Sequence, residues 1–157
     1  DHKTTGRPAD PTKVTEEYTA RYRETTNTAL YPFGHGLTYG AVTYGEPVLS
    51  AATMAMDGTI TASVDVTHTG SMPVVETVQL YIRDRVADLT QPGQRLRDFQ
   101  KVDLAPGQTR TVTFTIDRAL LEYIGEGGKP TVQPGSFDLW LAPSAQTGTP
   151  ARLMLEG

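Results

Sequence analysis

The sequence predicts an all-β domain, a two-sheet sandwich preceded by an extended N-terminal arm. Three observations carry that expectation. Apolar and polar residues alternate with period two over several stretches between residues 42 and 141, the pattern of strands with one buried face. The 15 Gly and 11 Pro of the 157 residues are spread along the chain rather than clustered, the punctuation expected of short strands joined by turns about every ten residues. No stretch is helical for long enough to make a parallel crossover, which favours two packed sheets. A jelly roll, which needs about eight strands, is the competing architecture.

Residues 1–30 hold few aliphatic side chains, many Thr and charges, and two closely spaced prolines. Such a stretch buries little surface of its own and is ordered only against a partner, with room for a short helical turn at 16–23. Residues 1–40 are therefore read as arm and linker, and 41–157 as the sandwich. Val42, Tyr44 and Val48 begin a first strand, and Asp57-Gly58 is a turn. Ile60, Ala62, Val64 and Val66 then alternate with Thr61, Ser63, Asp65 and Thr67. In VVETVQLYIRD one face carries Val78, Leu80 and Ile82, and the other Thr77, Gln79, Tyr81 and Arg83. A one-residue slip would turn the whole apolar set to solvent, so register is firmly specified. After a Pro/Gly-containing connection, Phe99, Val102 and Leu104 are core candidates. Pro106-Gly107 fits a type II turn, and Val112, Phe114 and Ile116 mark the next strand. Leu120, Leu121 and Ile124 fall at helical spacing within 118–124, ended by Gly125 to Gly128. Phe137, Leu139 and Leu141 oppose Asp138 and Trp140 in the next strand, and 152–155 adds an edge strand. The shared core is expected to contain Val64, Val66, Val78, Leu80, Phe114 and Phe137.

A formal net charge of −4 without a basic block argues against nucleic acid. No apolar run approaches the roughly twenty residues of a membrane helix, and no charged-then-apolar leader opens the chain. There is no Cys, and His2, His35 and His68 lack metal-ligand spacing; no metal or cofactor is expected. Retaining glycosidases need two carboxyl groups about 5 Å apart, and no such pair can be assembled. Asp57, Asp65, Asp84, Asp88, Asp98, Asp103, Asp117 and Asp138 read as solvated carboxylates. Nucleophile elbows, phosphate loops and calcium loops are absent from the sequence. Gly34 and Gly36 are expected to make a tight turn flanked by Tyr31, Phe33, Leu37 and Tyr39 as packing anchors, with His35 buried or at an interface rather than a base. Trp140, Tyr81 and Tyr123 raise weak carbohydrate contact, but one Trp without a coplanar partner reads better as cover against a neighbouring domain. Arg83, Asp84 and Arg85 read as a salt-bridged loop.

The segment LYPFGHGLTYG, residues 30–40, resembles the linker signature L-Y-P-F-G-x-G-L-S-Y of family 3 glycoside hydrolases. Residues 76–117, from ETVQLYIRD through FQKVDLAPGQ to TVTFTID, and the ending VQPGSFDLWLAPSA are similar to that family's terminal domain, as is the opening HKTTGRP. His68, Asp98 and Thr38 depart from its common Asn, Gly and Ser. The resemblance implies an immunoglobulin-like, fibronectin type III-like sandwich: the non-catalytic C-terminal domain of a periplasmic or secreted β-glucosidase, ahead of β-xylosidase. In that family a β/α barrel supplies the nucleophile and an α/β-sandwich domain usually the acid/base. Neither is in this sequence, so the chain is expected to hydrolyse nothing alone. Arg7, Tyr31, Phe33, His35 and Tyr39 are then expected to dock on those catalytic domains. The alternative is a free-standing carbohydrate-binding module.

Overall fold

The alternation in the sequence becomes paired strands in a computed structural model that describes residues 29–89 and 91–157. In chain order the strands are β1 (Val42–Tyr44), β2 (Val48–Leu49), β3 (Thr53–Ala55), β4 (Thr59–His68), β5 (Val74–Asp84), β6 (Arg95–Leu104), β7 (Thr109–Asp117), β8 (Tyr123–Ile124), β9 (Pro130–Thr131), β10 (Gly135–Ala142) and β11 (Ala151–Glu156). One helical turn, α1 (Arg118–Leu121), follows β7. Arg7 and the turn expected at 16–23 lie outside the described residues.

In the first sheet β1 and β2 share one edge of β4, and β7 pairs along its other edge from Thr59 opposite Asp117 to Thr67 opposite Thr109. The second sheet runs β3-β11-β10-β5-β6. Its strands are antiparallel except for β3 beside β11. The residues expected at 152–155 thus form a strand, but β3 takes the sheet edge. β8 and β9 make a separate small ribbon.

The inward phase is the one the sequence shows. Ile60, Ala62, Val64 and Val66 of β4, and Val112, Phe114 and Ile116 of β7, face Val78, Leu80 and Ile82 of β5 and Phe137, Leu139 and Leu141 of β10, all buried. Each such aliphatic or aromatic side chain taken from water contributes about 1.5–3 kcal/mol. Gly107 closes the turn before β7 with φ +73, and the Gln108 N–H donates to the Ala105 carbonyl at 3.0 Å. Asp117 caps α1 by accepting the Leu120 N–H at 3.0 Å. The helix stops after that turn because Glu122 is extended, leaving Leu121 buried and Ile124 exposed.

Phe99 departs from expectation: it is 55% exposed, opposite Gln79 on the outer face. Val102 and Leu104 hold the inward phase of β6, and Phe99, three residues before Val102, cannot share it in an extended strand. A bulge also breaks the β5–β6 register, since Leu80 opposes Asp98 but Tyr81 opposes Leu96, leaving Arg97 unpaired.

Candidate interdomain docking surface

The middle of β5 is covered on both faces. Its inner face meets the other sheet, while Gln79 and Tyr81 of the outer face are buried beneath residues 33 and 34. Gln79 Nε2 donates to the Gly34 carbonyl at 3.0 Å and to the Pro143 carbonyl at 2.6 Å. Gln79 Oε1 accepts the Tyr81 hydroxyl at 2.5 Å, and the Phe33 carbonyl, 3.3 Å away, is that hydroxyl's other acceptor. Both donors of the amide and its oxygen are thereby used, which is how a buried amide becomes tolerable. Burial also pushes the Tyr81 phenol above its ordinary pKa, so it remains a donor.

The 29–40 segment is fixed at further points. The Ala145 N–H donates to the Phe33 carbonyl at 3.0 Å and the Thr38 hydroxyl to the Val75 carbonyl at 3.3 Å. A turn joins the Pro32 carbonyl to the His35 N–H at 2.9 Å, with Gly34 at φ +77 in its third position. A Cβ on Gly34 would collide with the Tyr81 hydroxyl and Gln79 Oε1. Of the two glycines assigned to the turn, Gly34 is therefore the one it requires; Gly36 has open space around it.

The backbone of this segment is held while its side chains point away. Tyr31, Phe33, Leu37 and Tyr39 do not anchor the turn by packing within the sandwich: Phe33 is 68% exposed, Leu37 92% and Tyr39 99%. His35 is exposed too, with its ring 5.1 Å from that of Tyr31 and tilted by 48°, so of the two readings given to it the buried one is ruled out. The structure thus gathers Tyr31, Phe33, His35 and Tyr39 on one segment. Large apolar side chains exposed close together along the chain are a feature that contact surfaces share.

Two clefts border the segment. One, of about 310 Å³, lies between Gly36, Thr38, Gly40 and β5 and is lined by Glu76, Thr77 and Gln79. Glu76 occupies the inward phase of β5 opposite Val102. It is 7% exposed, and its Oε1 accepts the Tyr44 hydroxyl at 2.7 Å. Burial first, then that bond and the carboxylate's charge, hold the Tyr44 phenol far above the usual tyrosine pKa. Sequence reading passed over Glu76; a lone acid in an apolar phase was the available signal. The other cleft, of about 280 Å³, is lined by Phe33, Arg83, Gln94, Trp140 and Ala145. Phe33 lines this cleft together with Trp140, whereas Tyr81 and Tyr123 are buried and offer no sugar platform.

Two aspartates expected at the surface are buried. Asp138, 3% exposed, accepts Arg85 Nη1 at 2.8 Å and Arg152 Nε at 3.1 Å. Arg85 therefore pairs with Asp138 rather than with Asp84. Asp84 Oδ1 instead accepts the Val86 N–H at 2.9 Å. Burial, and secondarily Arg97, lower the Arg95 pKa, with Asp84 opposing them; Arg95 donates to the Glu122 and Leu121 carbonyls. These carboxylates serve the architecture. Among the described residues no group of three or more His, Cys, Asp or Glu could hold a metal, and no helix is long and apolar enough to cross a membrane.

The fibronectin type III-like domain profile matches residues 76–145. The chain is 40% identical over 140 residues to a periplasmic β-glucosidase of Salmonella typhimurium, covering 89% of this chain and 18% of the relative. A β-xylosidase of Formosa agariphila is 37% identical over 126 residues, 80% of this chain and 17% of the relative. Among solved structures, a β-glucosidase from Erythrobacter marinus superposes with a TM-score of 0.81 at 36% identity, over 87% of this chain and 18% of that one. A Listeria innocua β-glucosidase shares the fold with a TM-score of 0.82 at 24% identity, over 99% of this chain and 22% of that one. The chain thus spans less than a quarter of the proteins it resembles. It belongs to the fibronectin type III-like domains that glycoside hydrolase family 3 enzymes carry as a non-catalytic part of a larger chain.

Proposed function

We propose that this chain is the C-terminal buttress of a retaining β-glucosidase that releases terminal β-D-glucosyl residues in the periplasm or after secretion. It supplies no catalytic atom. Residues 1–40 act as arm and linker, and Arg7, Tyr31, Phe33, His35 and Tyr39 meet the β/α-barrel and α/β-sandwich domains. The observation that carries this reading is the 29–40 segment itself: a backbone bonded to β5 that holds large apolar side chains in water. Preorganised aromatic anchors of this kind dominate interface energies, because little ordering is left to do on contact. Hydrogen exchange on the chain alone and with the catalytic part added tests it. The catalytic part should raise protection at 29–40 and over the arm. Unchanged protection and no association would refute the docking role, and turnover of a nitrophenyl β-glucoside by the pure chain would refute the non-catalytic one.

A second reading rests on Phe33, Trp140, Arg83 and Gln94 lining one open cleft. Two aromatic rings with planar polar groups suit a sugar ring. The chain has one tryptophan, Trp140, so its emission reports on that cleft. Saturable change with cellobiose, laminarin or xylan supports carbohydrate contact; no change excludes it.

A further inference from the structure

The Glu76 cleft contains a charge that the sandwich does not neutralise. Glu76 stands between Val74 and Val78 on β5, in the phase that otherwise carries aliphatic residues into the core. A buried carboxylate is costly unless paired, and a valine would satisfy the pattern. One oxygen receives the Tyr44 hydroxyl; the other accepts no bond among the described residues, and Glu76 joins no ion pair there. The cleft walls add uncharged polar groups rather than cations, chiefly the Thr38 and Thr77 hydroxyls and the glycine backbone. Leu37, 92% exposed, and Val75, 53% exposed, line the same cleft and offer apolar surface to an aliphatic stem.

We propose that this cleft receives an arginine side chain from the catalytic part of the parent enzyme, its guanidinium on the free oxygen of Glu76 and its stem against Leu37 and Val75. Guanidinium suits the site better than ammonium because its planar fork can bond the carboxylate and a neighbouring carbonyl together. Position assigns the source. Leu37 and Thr38 belong both to the cleft wall and to the docking segment, so a chain seated on that segment passes the cleft mouth. The inference rests on the docking reading and names the contact that would fix its register.

The test is an NMR titration of the labelled 157-residue chain with L-arginine amide, using the isosteric but neutral citrulline amide as control. The Glu76 carboxyl carbon and the amides of Gly36, Thr38 and Thr77 should shift saturably at millimolar arginine amide. The affinity should fall several-fold with added salt, and citrulline amide should have no effect. Glu76→Gln keeps an acceptor for Tyr44 and removes the charge, so it should remain folded in a parallel melt and lose the response. A non-saturable response, an equal response to citrulline amide, or an unchanged response in Glu76→Gln overturns the proposal. So does a Glu76 carbon that moves, without probe, when Arg21 and Arg23 are changed to Gln, since the arm would then be the occupant. If the probe fails while the catalytic part still protects 29–40 from exchange, docking stands and this contact falls. If the probe binds and no protection follows, docking falls and the assigned occupant with it.

Discussion

Replacing Gly34 by Ala should detach the docking segment from the sandwich, and replacing Gly36 by Ala should not. At Gly34 the backbone sits at φ +77, a conformation that costs an L-residue about 1–2 kcal/mol. The new methyl also meets the Tyr81 hydroxyl and Gln79 Oε1, and neither can retreat freely, because Gln79 is tied to the Pro143 carbonyl as well. Lifting the segment instead gives up the bonds from Gln79 to Gly34 and from Ala145 to Phe33, each about 1 kcal/mol net. Either route costs roughly 2–4 kcal/mol. For a chain of this size that lowers the melting midpoint by roughly 5–12 °C. Gly36 has no atoms within 4 Å of a built Cβ and no positive φ, so its Ala variant should lie within about 0.5 kcal/mol of the parent. Urea melts followed by far-UV circular dichroism measure the loss, and Trp140 emission, from the cleft it shares with Phe33, reports whether the segment has lifted. Equal melts for the two variants, or a Gly34→Ala protein with unchanged emission and midpoint, would refute the proposed anchoring.

Phe114 is fully buried between the sheets, and Phe114→Ala should cost about 3–5 kcal/mol; an unchanged unfolding midpoint would mean that β7 is misphased. Asp138 is buried while its arginines are about half exposed, so the damage should be asymmetric. Changing both Arg85 and Arg152 to Met strands a buried carboxylate and should cost about 3 kcal/mol, whereas Asp138→Asn frees arginines that water can solvate and should cost less; the reverse order in denaturant melts contradicts this. Tyr44 is held protonated above its usual range, so above about pH 10 the unfolded chain loses a proton that the folded chain keeps. The stability this group contributes is complete below that pH and declines as pH rises, by at most about 1.4 kcal/mol per unit. Tyr44→Phe should flatten the decline, with a remainder from Tyr81, which is shifted in the same direction; equal alkaline slopes in both proteins would count against it.

Period-two alternation made the inner faces of β4, β5, β7 and β10 legible, because one phase of each strand is apolar and the other polar. It could not show what covers a second face. Gln79 is indistinguishable in sequence from a solvated glutamine until the Gly34 carbonyl meets its amide. Asp138 looks like a surface acid until strand pairing places Arg152 directly opposite it and Arg85 reaches in from the loop. Phe99 was misplaced because apolarity was weighted above strict alternation. The exposure of Tyr31, Phe33 and Tyr39 was legible only through the resemblance, since aromatic residues around a tight turn read alike whether they pack inward or wait for a partner. The 29–40 segment itself stood out through its motif, but the direction its side chains face depends on bonds to β5 that lie some 45 residues away in sequence.

The double cover of β5 bears on how this unit can be moved between proteins. Residues 76–145, the part that the family profile recognises, omit β1 to β4 and β11, which supply three of the four strands of the first sheet and the two strands at one edge of the second. A fragment cut there would expose the inner faces of β5, β7 and β10. A fragment beginning at β1 would keep the core but strip Phe33 and Gly34 from the outer face, leaving Gln79 and Tyr81 to water. A chimera that transplants this sandwich onto another enzyme therefore has to carry the stretch from Pro32 onward, so that the junction falls before Pro32 rather than at the first strand.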